Sequence, residues 1–324
     1  NARILSMSDK DNISFGEVWI EDSRIERIII SEADSVSGFS FVEKTSEKEL
    51  GNKFDEQIDC MGNLLMPGFK NCHAHGPMTF LRSYADDLPL QKWLNEKIFP
   101  AEAKLTDNDI YILMQLAILE YLSSGITTSF EMYFYPEMIA KACRDMGFRV
   151  VISGTVFGND DTRKDAVKTL QNDYAAFHDY DKLVSYRLGF HSEYSCSKAL
   201  LSDIAALSRE LKEPVYMHNS ETKREVYECI ERHGMTPVRL MDSLGMFEYG
   251  GAGHHLVYTD AADREILKEK HVYVVTNPSS NLKLASGIAP VKEYIDQGIS
   301  VAIGTDGPRS EERRVGKECR SRWS

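Results

Sequence analysis

The rhythm of apolar and polar positions changes near residue 64. Before it, short strand-like runs occupy 13–20, 24–30 and 56–59, joined by acidic and Ser-rich stretches around 31–37 and 45–51. These predict a small, partial β-sandwich domain over residues 1–63. From 64 onward, apolar strands at 64–69, 127–132, 149–153, 186–190, 215–217, 251–256, 272–276 and 300–304 alternate with helix-length amphipathic segments. The helical patterns fall at 107–123, 136–145, 163–177, 198–211 and 260–270. Such alternation predicts an α/β fold with a parallel sheet covered by helices. Eight units fit a (β/α)8 TIM-like barrel over 64–310, with its chemistry at the C-terminal strand ends. The competing doubly wound sheet would be marked by a GxGxxG turn after a strand, and none is present.

The segment 311–324 (EERRVGKECRSRWS) loses apolar periodicity and turns basic. It reads as a foreign tail rather than as the helix that would close the barrel. The chain also opens without methionine, in strand-like sequence. The expectation is therefore a β-domain and a barrel both cut short, the barrel lacking its last helix.

Composition narrows the function classes. The net charge of −12 over 324 residues disfavours nucleic-acid backbones, and no apolar run is long enough to span a bilayer. The six cysteines form no CxxC pair and read as free thiols of a reducing cytoplasm. A small-molecule substrate is the partner this leaves, with homo-oligomerisation open.

The chemistry sits at predicted strand ends. His73 and His75 close the first strand, and residues at i and i+2 of an extended chain face the same side. His218 follows the fifth strand, His254 with His255 the sixth, and Asp306 the eighth. In a barrel these converge on one mouth. Three imidazoles and a carboxylate suit one Zn²⁺ or, as the alternative, Fe²⁺, with a position left for water. Such an ion brings the bound water's pKa toward ~7. Glu221, three residues past His218, is placed as a proton shuttle rather than a ligand. Trp93 reads either as an aromatic wall for a ring or as a buried helix tryptophan.

The stretches LMPGF (65–69) through His75, LQKWL (90–94), IFP (98–100), His218 to Glu221, NP (277–278), SNLKL (280–284), GIAP (287–290) and GTDG (304–307) resemble the amidohydrolase superfamily. More narrowly, they are similar to its aminohydrolase group of 5-methylthioadenosine/S-adenosylhomocysteine deaminases and triazine hydrolases. The resemblance implies His73, His75, His218 and Asp306 as metal ligands and Glu221 as the group that protonates the substrate ring nitrogen. It implies His254 as the residue orienting the attacking water, His191 as a substrate contact and Arg163 as a loosely aligned second one. His191 and Ser192 stand where binuclear members carry a carboxylated lysine, so one ion is expected. The stretch 151–155 lacks the arginine expected for S-adenosylhomocysteine, and Glu131 replaces a more usual aspartate. The reading is hydrolytic deamination of an amino-substituted N-heterocycle, an adenine-type nucleoside or base. The alternatives are another C–N or C–Cl bond on the same fold, and a non-catalytic scaffold.

Overall fold

Asp22 and Ser23 both take left-handed backbone angles (φ 46° and 64°), joining two strands in a tight hairpin. In this computed structural model, residues 2–7, 13–30, 54–82, 84, 92 and 94–307 are described. The chain divides into two compact units, 1–68 and 69–324. The segment 311–324, read above as foreign, lies outside the described residues.

The first unit is a four-stranded sheet in the order β3-β2-β1-β4, with β1 at Ala2–Leu5, β2 at Ile13–Glu21, β3 at Arg24–Ile30 and β4 at Leu64–Leu65. The strand expected at 56–59 is absent, and β1 takes part instead. The expected first barrel strand, 64–69, also divides differently. Leu64 and Leu65 pair in parallel with β1, whereas the barrel strand β5 is Phe69–Ala74. Pro67 and Gly68 separate the two, because proline lacks the N–H a ladder needs.

The second unit holds eight parallel strands in sequence order: β5, β6 (Ile126–Met132), β7 (Arg149–Ser153), β8 (Val184–Ser192), β9 (Val215–Asn219), β10 (Gly251–His255), β11 (Val272–Thr276) and β12 (Val301–Ile303). β12 is short, and closure onto β5 is made just past its end. Thr305 and Asp306 donate their N–H groups to the His73 carbonyl at 3.0 and 2.9 Å. This is the TIM-like barrel, and its seam lies beside the first two histidines.

Helices cover the strands through apolar faces. Leu201 and Ile204 of the helix Lys198–Leu211 share a core with Leu188, Phe190, Val215 and Met217. Ile110, Met114 and Ile118 of the helix Asp107–Ser123 share a second with Val150 and Ile152. Each fully buried side chain of this kind contributes about 1.5–3 kcal/mol. Among the described residues no helix is long and apolar enough to cross a membrane.

Candidate metal and acid–base site

β5 delivers the HxH pair to the barrel mouth. His73 is fully buried and His75 partly so, and the Nε2 atom of each lies 3.1 Å from Asp306 Oδ1. His218, from β9, places its Nε2 3.2 Å from that of His73 and 3.4 Å from that of His75. The four donor atoms all lie within 4.8 Å of one another.

The outer nitrogens explain the orientation. His75 Nδ1 donates to the Met132 carbonyl at 2.5 Å, and His218 Nδ1 to the His191 carbonyl at 2.8 Å. A carbonyl only accepts, so the proton is assigned to Nδ1 and the Nε2 lone pair faces inward. Inward lone pairs 3.2–3.4 Å apart repel unless a cation stands between them. Burial keeps two of the three imidazoles neutral, lowering His73 to about 3 and His218 well below its usual value, whereas at His75 the neighbouring Asp306 outweighs burial and raises the pKa. Burial alone would push Asp306 up, but the surrounding His73, His75 and His255 rings hold it well below the carboxylate range. The donor set therefore fits a divalent metal ion.

Glu221 lies three residues beyond His218, on the turn leading into the helix Lys223–His233. That turn is set by a Thr-x-x-Glu capping box. Thr222 Oγ1 accepts from Glu225 N, while the Glu225 carboxylate receives the N–H groups of Ser220 and Glu221 at 2.7 Å and of Thr222 at 3.4 Å. Glu221 is 4% exposed, and its Oε1 accepts from Ser286 Oγ at 2.8 Å. Burial raises its pKa, with the nearby Asp306 charge adding and His255 opposing.

The two adjacent histidines at the end of β10 are placed differently. His254 does not line the cavity: its ring stacks on that of His73, 3.8 Å between centroids, and neither ring nitrogen has a partner. The cavity-lining ring is His255. Its Nε2 lies 3.9 Å from Glu221 Oε2 and 4.0 Å from Asp306 Oδ2, and its Nδ1 donates to Asn281 Oδ1 at 2.7 Å. His255 and Leu256 have φ of 75° and 42°, so the backbone twists out of strand geometry as it reaches the mouth.

The cavity encloses about 720 Å³ including its open mouth, and Met78, Ile98, Phe99, Phe134 and Leu284 form its apolar wall. His191 lines it as expected, with Nδ1 near the hydroxyls of Ser192 and Ser195 at 2.9 and 3.0 Å. Arg163 does not line it. That guanidinium is spent on Asp203 of the neighbouring helix, Nη1 to Oδ2 at 2.7 Å. Trp93 lies outside the described residues. Glu131 is wholly buried, accepting from Gly76 N at 2.7 Å and Tyr121 Oη at 3.1 Å, and so anchors the turn after the HxH pair.

Sequence reasoning passed over Glu102, Tyr133, Ser280, Asn281 and Ser286. Glu102 lines the cavity and accepts from Tyr133 Oη at 2.6 Å, and burial raises its pKa. Ser280 Oγ donates to Asp306 Oδ2 at 2.5 Å. Ser280 and Asn281 stand inside a motif already singled out; Glu102 had no local signal.

A profile of the amidohydrolase family matches residues 64–317. A 5-methylthioadenosine/S-adenosylhomocysteine deaminase of Caldicellulosiruptor saccharolyticus is 40% identical over 311 residues, covering 95% of this chain and 68% of that protein. A 5'-deoxyadenosine deaminase of Methanobrevibacter smithii is 38% identical over 286 residues, covering 85% and 65%. The chain thus spans about two thirds of the length of these curated relatives. Among solved structures, a zinc-bound adenosine deaminase from Xanthomonas campestris superposes with a TM-score of 0.70 at 30% identity, covering 77% of this chain and 59% of that one. A guanine deaminase from C. acetobutylicum with bound guanine reaches 0.81 at 21% identity, covering 95% and 74%, and supports the fold alone. With the profile match over most of the chain and a relative 40% identical, the chain belongs to the amidohydrolase family.

Proposed function

We propose that this chain carries the catalytic barrel of a metal-dependent deaminase acting on an adenine-type nucleoside or base. The observation that carries the reading is the convergence of His73, His75, His218 and Asp306 on one point, with Glu221 and His255 beside it. The four ligand positions would hold one divalent ion, Zn²⁺ first and Fe²⁺ as the alternative, which supplies Lewis-acid charge and brings the pKa of water toward ~7.

The chain's own residues then divide the proton work. Asp306 takes a proton from the attacking water, and His255 orients that water. Glu221 starts protonated, as its buried setting favours, and gives its proton to the ring nitrogen next to the amine-bearing carbon. The hydroxyl of the tetrahedral adduct returns a proton to Glu221 as its C–O bond becomes a carbonyl. The proton on Asp306 passes to the amine, and the C–N bond breaks to release ammonia. The apolar wall excludes bulk water from the ring. Glu102 offers an acceptor suited to sugar hydroxyls, which favours a nucleoside over a free base.

Names of the relatives support an adenosine-type substrate. Ammonia release from the metal-loaded protein, measured over adenosine, 5'-deoxyadenosine, adenine, guanine and an aminotriazine, tests the reading. Adenosine-type nucleosides are expected to react fastest. Silence across the panel sinks the deaminase reading, and chloride release from a chlorotriazine in its place would establish the other hydrolase.

A further inference from the structure

One stretch of chain touches all three acid–base groups. After β11, Ser280 donates to Asp306, Asn281 accepts from His255, and Ser286 donates to Glu221. The Ser286 contact differs from the others in its backbone. Ala285 has φ 53° and Gly287 φ 128°, so Ser286 sits between two left-handed residues. Its N–H donates to the Asn281 carbonyl at 2.9 Å, tying the turn to the preceding helix Pro278–Lys283. A Cβ at Gly287 would come within 2.6 Å of Tyr258 Oη and 2.9 Å of Val257 Cγ1. The turn is therefore wedged in place, and Ser286 is 2% exposed.

A serine hydroxyl brings one proton, and here it is directed at Glu221 Oε1. The other carboxylate oxygen, Oε2, is the one nearer His255 Nε2. We propose that Ser286 is a positioning residue: its hydroxyl occupies Oε1, fixes the rotamer of Glu221 and leaves Oε2 to carry and deliver the mobile proton. This inference rests on the proposed proton role of Glu221. A donor to Oε1 also stabilises the ionised carboxylate more than the acid, so Ser286 sets the pH at which Glu221 loses its proton.

The test compares the metal-loaded wild type with Ser286→Ala and Ser286→Thr, using the nucleoside the wild type turns over fastest. Losing a hydrogen bond to a charged group moves the alkaline limb of kcat up by about one pH unit in Ser286→Ala. Misorientation of Glu221 lowers the plateau kcat about tenfold, with KM held within about twofold. Ser286→Thr, which keeps the donor, restores the limb. An unmoved limb with an unchanged kcat in Ser286→Ala overturns the proposal, as does a fall in thermal stability as the sole effect. A wild type silent on every nucleoside defeats the proposed function instead. Infrared difference titration then decides the Ser286 contact separately: the carboxyl band that disappears in Glu221→Gln must titrate at higher pH in Ser286→Ala, and identical titration overturns it. The same titration in Ser286→Cys decides the matter where Ser286→Ala does not fold.

Discussion

Replacing Glu225 by glutamine removes the charge that gathers three backbone N–H groups behind Glu221, and its cost depends on pH in a defined direction. Burial pushes the Glu225 carboxyl up to about 7, the neighbouring Glu221 charge adds to this, and the N–H groups of Glu221, Ser220 and Thr222 restrain it. The usual value is 4.5. Between those values the folded chain binds more protons than the unfolded chain. The stability from this group is therefore fully present below 4.5 and lost as pH rises through 7. From pH 5 to pH 8 the loss is about 2.5 kcal/mol, and glutamine does not share it. Glutamine must also turn an NH₂ toward a backbone N–H that the ionised carboxylate accepts, which costs about 1–3 kcal/mol against the ionised form. The deficit of Glu225→Gln relative to wild type is thus expected to be about 1–3 kcal/mol at pH 8 and to grow by about 2.5 kcal/mol at pH 5. Urea unfolding of both proteins at pH 5, 6, 7 and 8 reads this difference, and titrations common to both cancel. A deficit constant within about 0.5 kcal/mol refutes the reasoning. A deficit that grows toward pH 8 would show that the three N–H donors outweigh burial.

Metal analysis of the intact protein should find about one ion per chain, and chelation should lower the melting temperature, because the four donors are held ready only in the folded state. Metal should also be lost as pH falls, since protons compete for the imidazoles; a full complement retained after acid dialysis would contradict the site. The two adjacent histidines should separate cleanly. His255→Ala is expected to cut kcat/KM by about a hundredfold or more with metal content kept. His254→Leu should leave activity within a few-fold and stability unchanged or higher, because neither ring nitrogen has a partner to lose. The reverse outcome would return the water-orienting role to His254.

How far the sequence could be read depended on the length of the pattern available. The helices Asp107–Ser123, Pro136–Asp145, Arg163–Phe177 and Lys198–Leu211 coincide with their expected bounds, since each is a helix-length run without an internal Gly or Pro, and Pro136–Asp145 and Lys198–Leu211 repeat an apolar period over several turns. The metal-fitting group was legible for a related reason: four ligand-type side chains at three strand ends must meet if the strands close into a barrel. Two-residue strands carry no period, so the pairing of Leu64 and Leu65 with Ala2–Leu5 could not be seen. Arg163 was expected only from a loosely aligned resemblance, and its partner Asp203 lies on a different helix, where no local pattern announces it.

The different placement of His254 and His255 has a sharper cause. Strict alternation would send one of two neighbouring residues to the barrel interior and the other to the helix layer, so only one should reach the site. His254 follows that rule and packs its ring on His73. At His255 the rule stops holding, because a left-handed φ reverses the course of the chain, and a second ring turns into the cavity beside Glu221 and Asp306. Left-handed residues also stand at Ser220 and at Asp306, both at strand ends of the same mouth. Left-handed backbone thus recurs at the strand ends that present Glu221, His255 and Asp306, as it does at turns elsewhere in the chain. Side-chain direction there is decided by the partners that hold it, Asn281 for His255, Ser286 for Glu221 and Ser280 for Asp306, and those partners sit 26, 65 and 26 residues along the chain from the groups they orient.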